Sequence, residues 1–573
     1  MHTTGPNPDN WPEALASRFP QDWILASLSE KNSFVHHKVY RLVPRSEANG
    51  SKIFKPRPVF TIKINPPTPT NPEPTIDKFK FRQTIGAFTK MMTPGVDFAE
   101  KRASTVRWES TLVKFSLAVM FDFDIWLIDI KTFFLYGDLP DKVFMEQPTE
   151  WVDPRYPAED YVCRLQRSMY GLPQAPHCAQ QKLKATLTLD GAFTQTAADD
   201  CVYVHDKPGD SDYAATGAHV DDLLSIGTPA GLTRLLTTLT KDFEVTTKKD
   251  PTLIMGVQIE RNRKAKWLKL HQAAYVDLIL DEFGQSQCNP MDTPMDPGTA
   301  TAMMKLPVAT ADTADPNVLK LYRKLVGMII WLYKTRPDMA FTINLLARFL
   351  HNATKAHYDI ARGRPLRYLS GTKFRGLVFS PGDSSEWHLS GESDSDLAGD
   401  LVSSRSTLGF YNKMGRFGTV SYNCSLDKKI HTATQAAETH ALASMCKDTI
   451  WLRQLLHELG FKQGEATPQD TDNRGVYLQS TKQVNHAVAK HFRIAQAFIR
   501  NLSDRGVVTV GKVGTENNGS DMFTKALSKE PFFRHRLKTM GPQDCPGPSA
   551  QQWRRWGDVT VNSSLHTFTK LCS

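Results

Sequence analysis

The sequence predicts a mixed α/β (α+β) chain of two successive units. Three observations predict it. The apolar run Ile125-Trp126-Leu127-Ile128 has strand length and ends in an acid, Asp129. Tyr213 to Gly227 places two apolar arms around Asp221-Asp222, the pattern of a β-hairpin with acids at its turn. Thr434 to Leu459 puts Ala437, Ala441, Met445, Leu452, Leu455, Leu456 and Leu459 on one helical face, and Gly460 stops that helix.

In chain order, the polar N-terminus with Pro6 and Pro8 is expected to be disordered through residue 22 and is no signal peptide. A mixed α/β unit follows from Trp23. Pro66 to Pro74 carries five prolines and can be neither helix nor inner strand, so it reads as a mobile loop. Thr105 to Met120 reads as a helix entering the Ile125–Asp129 strand. Asp296 to Asn317, rich in Thr, Ala, Pro and Asp, reads as a linker. Leu321 to Leu369 reads as helical, with Pro337 as an interruption. A second α/β unit starts near Glu386, and the Pro/Gly/Ser-rich tail after Gly541 is expected to be loosely ordered.

At 573 residues and 40% hydrophobic content the chain can bury several cores. The longest apolar stretch, Leu112 to Ile128, holds Lys114, Asp122 and Asp124, which argues against a membrane span. A net charge of +10 suits a polyanionic partner without identifying one. None of the eight cysteines is spaced as Cys-x-x-Cys or as a zinc finger, so reduced structural thiols and a cytoplasmic or nuclear location are expected.

Acids at strand ends carry the chemistry. Two divalent cations about 3.5–4 Å apart need oxygen ligands to stabilise the attacking and leaving oxygens of a phosphoryl transfer. Asp129, Asp221 and Asp222 supply such a set if folding joins them. A bare Asp-Asp pair is more often a solvated turn, so neighbouring blocks must decide.

Those blocks run in order along the chain: Ile128-Asp129-Ile130-Lys131-Thr132-Phe133-Phe134-Leu135-Tyr136-Gly137, Phe144-Met145-Glu146-Gln147-Pro148, Ser168-Met169-Tyr170-Gly171-Leu172-Pro173-Gln174-Ala175, His219-Val220-Asp221-Asp222, Thr335-Arg336-Pro337-Asp338, Arg367-Tyr368-Leu369-Ser370-Gly371-Thr372 and Ser393-Asp394-Ser395-Asp396-Leu397-Ala398-Gly399-Asp400. From about Trp23 to Gly541 the chain resembles the reverse transcriptase–ribonuclease H portion of a copia-type retrotransposon Pol polyprotein.

The resemblance implies a right-hand polymerase fold (fingers and palm over 23–262, a helical thumb and connection over 263–384) and then a ribonuclease H-like domain over 385–540, with 541–573 as tail. It implies an RNA-directed DNA polymerase with ribonuclease H activity, using Mg²⁺ at each site, with Mn²⁺ as the alternative ion. Its partners would be an RNA template, a DNA primer, an RNA–DNA hybrid and deoxynucleoside triphosphates, with no membrane.

Asp129 and Asp221 would be the polymerase metal ligands and Asp222 an accessory carboxylate. Phe134 would exclude a 2′-hydroxyl, and Tyr170-Gly171 would lie by the incoming base and template. Arg82, with Lys63, would grip the triphosphate, and His219 and Met255-Gly256 would position the primer. In the second unit Asp394, Glu438, Asp472 and Asp521 would hold two Mg²⁺, with Asp396 and Asp400 as solvated neighbours.

The chain also departs from the pattern. His219 stands for Tyr, Phe133 for a small residue, Thr61 for Lys and Pro173 for Lys, and an acid just before Glu438 is lost. An extra aromatic at Phe133 is expected to strain the palm by ~1–3 kcal/mol. No zinc-knuckle cysteines, protease block or integrase core are present, so a portion of a larger element is expected. The alternatives are a catalytically decayed remnant that folds and binds nucleic acid, or a chain retaining ribonuclease H alone.

Overall fold

The computed structural model describes residues 7–65, 75–86, 92, 103–381, 387–481 and 490–543. The Pro66–Pro74 loop, the tail beyond residue 543, Cys545 and Cys572 lie outside the described residues. Every described cysteine is unbonded, and only Cys288 is not buried. Among the described residues no helix is long and apolar enough to cross a membrane.

Order begins earlier than the expected disordered stretch 1–22 allows. The Asn10 side chain accepts the Glu13 N–H at 3.0 Å and caps the helix Trp11–Ala16. Trp11 packs on Phe60 and Phe81, with centroids 6.3 and 6.0 Å apart. A second helix, Pro20–His36, buries Trp23 completely. Apolar anchors at 11 and 23 thus outweigh the prolines before them.

Those helices back the fingers ribbon, an antiparallel pair of strands Pro56–Asn65 and Thr75–Ile85. Its period-2 alternation sorts the side chains. Phe60, Ile62, Phe79 and Phe81 join the aromatic core, and the register puts Thr61 opposite Lys80 and Lys63 opposite Lys78 on the other face.

The palm is a six-stranded sheet in the order Val245–Lys249, Asp124–Ile130, Asp222–Gly227, Ala214–His219, Val202–His205, Thr194–Gln195. Ile125, Leu224 and Ile226 share a core with the helix Trp108–Met120. Trp126, Ile128 and Leu223 face the opposite way and share one with the helices Ala175–Thr188 and Pro229–Leu239. Phe133 lies in that second core, 6.4 Å from Phe243. It is buried there with Phe243.

Two boundaries shift. The break at 262/263 falls inside a hairpin: Val257–Asn262 pairs with Trp267–His271, which pairs with Gly376–Phe379. The connection is therefore helices docked on a small sheet. The expected linker 296–317 contains the helix Pro297–Lys305, capped by Asp296 Oδ1 accepting the Thr299 N–H at 3.0 Å, with Ala300 and Met303 buried. Its Asp-Pro start is an N-cap signal hidden within linker-like composition. Helices Pro316–Trp331 and Ala340–Ala347 flank the Pro337 break.

The second unit is a five-stranded sheet, Thr419–Leu426, Thr407–Met414, Leu389–Asp396, Thr467–Thr471, Val508–Lys512. Its first three strands pair antiparallel and its last two join in parallel. The helix Thr434–Glu458 packs across it, and Gly460, at φ +90°, ends that helix in the left-handed region. The far end of this helix docks on the palm. Trp451 Nε1 donates to Ala198 O at 2.8 Å, and the Tyr213 hydroxyl donates to Leu459 O at 3.1 Å.

Candidate active sites

The palm strands bring the predicted acids together. Asp222 is the register partner of Asp129 on the adjacent antiparallel strand. Asp221 sits in the two-residue turn between His219 and Asp222, and its carbonyl accepts the Ile130 N–H at 3.0 Å. That bond ties the hairpin tip to the end of the Asp129 strand. The turn holds Val220 at φ +60°, an unfavourable conformation for a β-branched residue.

Crowding shows in the electrostatics. Burial, then the Asp221 and Asp129 charges, push Asp222 up to about 7. Burial and Asp221 likewise raise Asp129, while Lys80 and Lys63 pull it down. An all-oxygen donor set whose members resist shared ionisation suits a hard divalent cation. The three palm carboxylates do not, as a trio, close to within 4.8 Å among the described residues.

The ribbon brings its cations to this site. Lys80, not singled out from the sequence, stands opposite Thr61, where the resemblance expects a lysine. Burial, then the charges of Arg82, Lys63 and Lys78, hold Lys80 down to about 8. The alternation Lys78-Phe79-Lys80-Phe81-Arg82 was the signal that could have found it. Arg82 lies 5.5 Å from the Tyr170 ring centroid, and Phe134 meets that ring edge-on at 5.5 Å. Predicted residues Arg82, Tyr170 and Phe134 therefore form one cluster.

Gly171 closes the ribbon's base. It sits at φ +96°, and a Cβ there would lie 2.4 Å from Ile85 O. Met255 and Gly256, at φ +46° and +74°, form the tight turn between Leu253–Ile254 and Val257–Asn262. A Cβ on Gly256 would meet Trp331 Nε1 at 3.6 Å. His219 is half-buried at the end of its strand, and burial followed by the Lys334 charge lowers its pKa.

In the second unit four elements converge. Asp394 lies in the central strand, Glu438 early on the long helix, Asp472 just past Thr467–Thr471, and Asp521 at the start of the short helix Asp521–Thr524. Ligand oxygens of Asp394, Asp472 and Asp521 lie within 4.8 Å of one another. Glu438 Oε2 is buried without a hydrogen-bond partner. Burial, then the Asp394 and Asp472 charges, push Glu438 up to about 9, and burial raises Asp394 to about 6. A buried orphan oxygen facing a carboxylate trio fits a divalent-cation site.

Two neighbours escaped the sequence reading. Lys525 Nζ lies 3.0 Å from Asp521 Oδ1 and 3.8 Å from Asp394 Oδ2. The Thr524 hydroxyl donates to Asp394. They lie three and four residues after Asp521, one helical turn on, which was the available signal. Asp400 corrects the expectation of a solvated acid: it is buried and paired with Arg348 at 2.8 Å. Asp396 is half-buried, outside the trio, with its pKa raised chiefly by burial.

Residues 37–297 match a family model described as reverse transcriptase (RNA-dependent DNA polymerase). That match spans the palm strands that carry Asp129, Asp221 and Asp222. The Pol polyprotein of transposon TNT 1-94 from Nicotiana tabacum is 29% identical over 528 residues, 92% of this chain and 38% of that protein. That of transposon RE2 from Arabidopsis thaliana is 30% identical over 529 residues, 92% of this chain and 34% of that protein. A solved foamy viral protease-reverse transcriptase bound to double-stranded DNA is 10% identical, with TM-score 0.44, covering 86% of this chain and 69% of that one. Over 92% of its length the chain is similar to retrotransposon Pol polyproteins, and the reverse transcriptase match falls within that stretch. It spans little more than a third of the length of these curated relatives.

Proposed function

We propose that the chain extends a DNA primer on an RNA template and cleaves the RNA of the resulting hybrid. One observation carries the reading: Asp129 and Asp222 are register partners on adjacent strands, with Asp221 at the connecting tip and the cationic ribbon acting on Asp129. Asp129 and Asp221 would hold the cations of the first centre, with Asp222 as an accessory carboxylate. Asp394, Glu438, Asp472 and Asp521 would hold those of the second. Bound Mg²⁺ would supply charge neutralisation and acidify the attacking hydroxyl or water.

The remaining work falls to the chain's own side chains. Arg82, Lys80 and Lys63 offset the charge of a triphosphate through guanidinium and ammonium contacts. Phe134 and Tyr170 form a rigid aromatic floor under a sugar and base, and Phe134 would discriminate against a 2′-hydroxyl. His219 and the Met255-Gly256 turn would seat the primer end.

The test is primer extension on an RNA template beside cleavage of a labelled RNA–DNA hybrid, with Mg²⁺. The wild type should do both. Asp129→Asn should stop extension and spare cleavage, and Glu438→Gln should do the converse. A folded wild type that performs neither reaction would overturn the proposal.

A further inference from the structure

A second kind of ligand set stands behind the nuclease centre. The strand Thr419–Leu426 runs into Asp427, whose N–H donates to Ser406 O at 2.8 Å. Asp427 Oδ1 accepts the Lys429 N–H at 3.1 Å, which fixes the carboxylate plane. Two imidazoles converge on its other oxygen. His431 Nε2 lies 2.8 Å from Asp427 Oδ2, and His440 Nδ1 lies 3.3 Å from it. The rings are 4.5 Å apart at 72°. Their side chains are 7% and 16% exposed, and that of Asp427 is 10% exposed.

We propose that Asp427, His431 and His440 form a binding site for a borderline transition-metal cation of the zinc class, separate from the carboxylate centre. Three arguments support it. All three ligand atoms lie within 4.8 Å of one another. Bonds of about 2.0–2.2 Å to nitrogen and oxygen put tetrahedral ligand atoms roughly 3.4 Å apart, so His431 Nε2, 2.8 Å from Asp427 Oδ2, has to move out by roughly half an ångström, and His440 Nδ1, at 3.3 Å, stands close to that spacing already. The ligands come from three elements (strand end, loop and helix), and three protein ligands leave a fourth position for water.

Donor chemistry separates this site from its neighbour. Imidazole nitrogens suit zinc, cobalt and related cations, whereas the oxygen-only trio of Asp394, Asp472 and Asp521 suits magnesium. His440 follows Glu438 by two residues, about 200° around the helix, so the two side chains serve different faces. The Lys429 charge near His440 opposes any cation there, so binding rests on the three ligand bonds. The other mixed clusters are already engaged by cations or donors. Asp199 accepts from Ser110 and the Arg107 N–H, and Asp212 pairs with Arg234 at 2.7 Å.

Cobalt(II) titrated into the full chain in excess Mg²⁺ provides the test, read as visible ligand-field absorption. The expected result is an intense four-coordinate band that saturates at one equivalent and is abolished by Zn²⁺. His431→Ala and His440→Ala should each weaken binding by about 100-fold or more, while Glu438→Gln keeps the band. Circular dichroism checks that each variant is folded, and Asp427→Asn provides an independent removal of a ligand. No band in the wild type, or a band unchanged in folded His431→Ala, overturns the proposal.

Discussion

Replacing Asp222 by Asn should stabilise the metal-free protein while impairing polymerisation. The carboxyl rises from 3.8 to about 7 because it is buried beside Asp221 and Asp129. At about pH 8 that displacement costs at most about 4 kcal/mol, since each pH unit is worth about 1.4 kcal/mol. Residual solvent access brings the figure nearer about 2 kcal/mol. The native state keeps a proton that the unfolded chain releases above its ordinary carboxylate pKa. Stability is therefore full below about pH 4, falls as pH rises to about 7, and is flat above. Asn carries no charge to desolvate. Thermal unfolding in a chelator should show Asp222→Asn melting about 2–4 °C above wild type at about pH 8, with the gap closing toward about pH 4. Equal or lower melting of the variant at about pH 8 would refute the argument that burial and like charge, not hydrogen bonding, set this carboxyl.

Further consequences can be measured directly. Mg²⁺ should raise the melting temperature of the wild type, and Glu438→Gln should lose part of that gain, because an orphaned buried oxygen no longer meets a cation; an equal gain in both places the cation elsewhere. Gly171→Ala should cost about 2–4 kcal/mol, from the left-handed φ and the close approach to Ile85 O, seen as faster hydrogen exchange at the Ile85 amide. Lys80→Ala should raise the KM for deoxynucleoside triphosphate about tenfold and leave hybrid cleavage untouched, since it removes one charge-assisted contact of about 1.4 kcal/mol. Phe134→Val should increase ribonucleotide incorporation relative to deoxynucleotide, measured in single-nucleotide extension.

Much of this architecture was legible because its signals are local. The Asp129 strand, the Asp221-Asp222 hairpin and the helix ended by Gly460 each declare themselves through period, turn residues or a stop. What escaped depends on partners distant in sequence. Lys80 matters because antiparallel pairing sets it against Thr61, and a strand's register is invisible in one segment alone. Asp400 looked solvated because its partner, Arg348, lies 52 residues earlier. Asp296 looked like linker because its capping role depends on Ala300 and Met303 finding a core. Trp11 and Trp23 give order to a stretch whose prolines argued for none, through contacts with the ribbon more than thirty residues away.

The long helix links the two carboxylate centres. Glu438 sits near its start, and Trp451 and Leu455 to Leu459 sit near its end. Thirteen residues separate Glu438 from Trp451, about 20 Å at 1.5 Å per residue. Trp451 is bonded to the palm at Ala198 O, and Leu452, Leu455 and Leu456 share a core with Phe115 and Leu224 of the palm. The helix is thus both a wall of the second carboxylate centre and a strut anchored in the palm sheet. Tilting it would expose the apolar side chains of that common core, at a cost on the order of 1–3 kcal/mol for each large one. The spacing between the two carboxylate centres is therefore set by packing in a shared core.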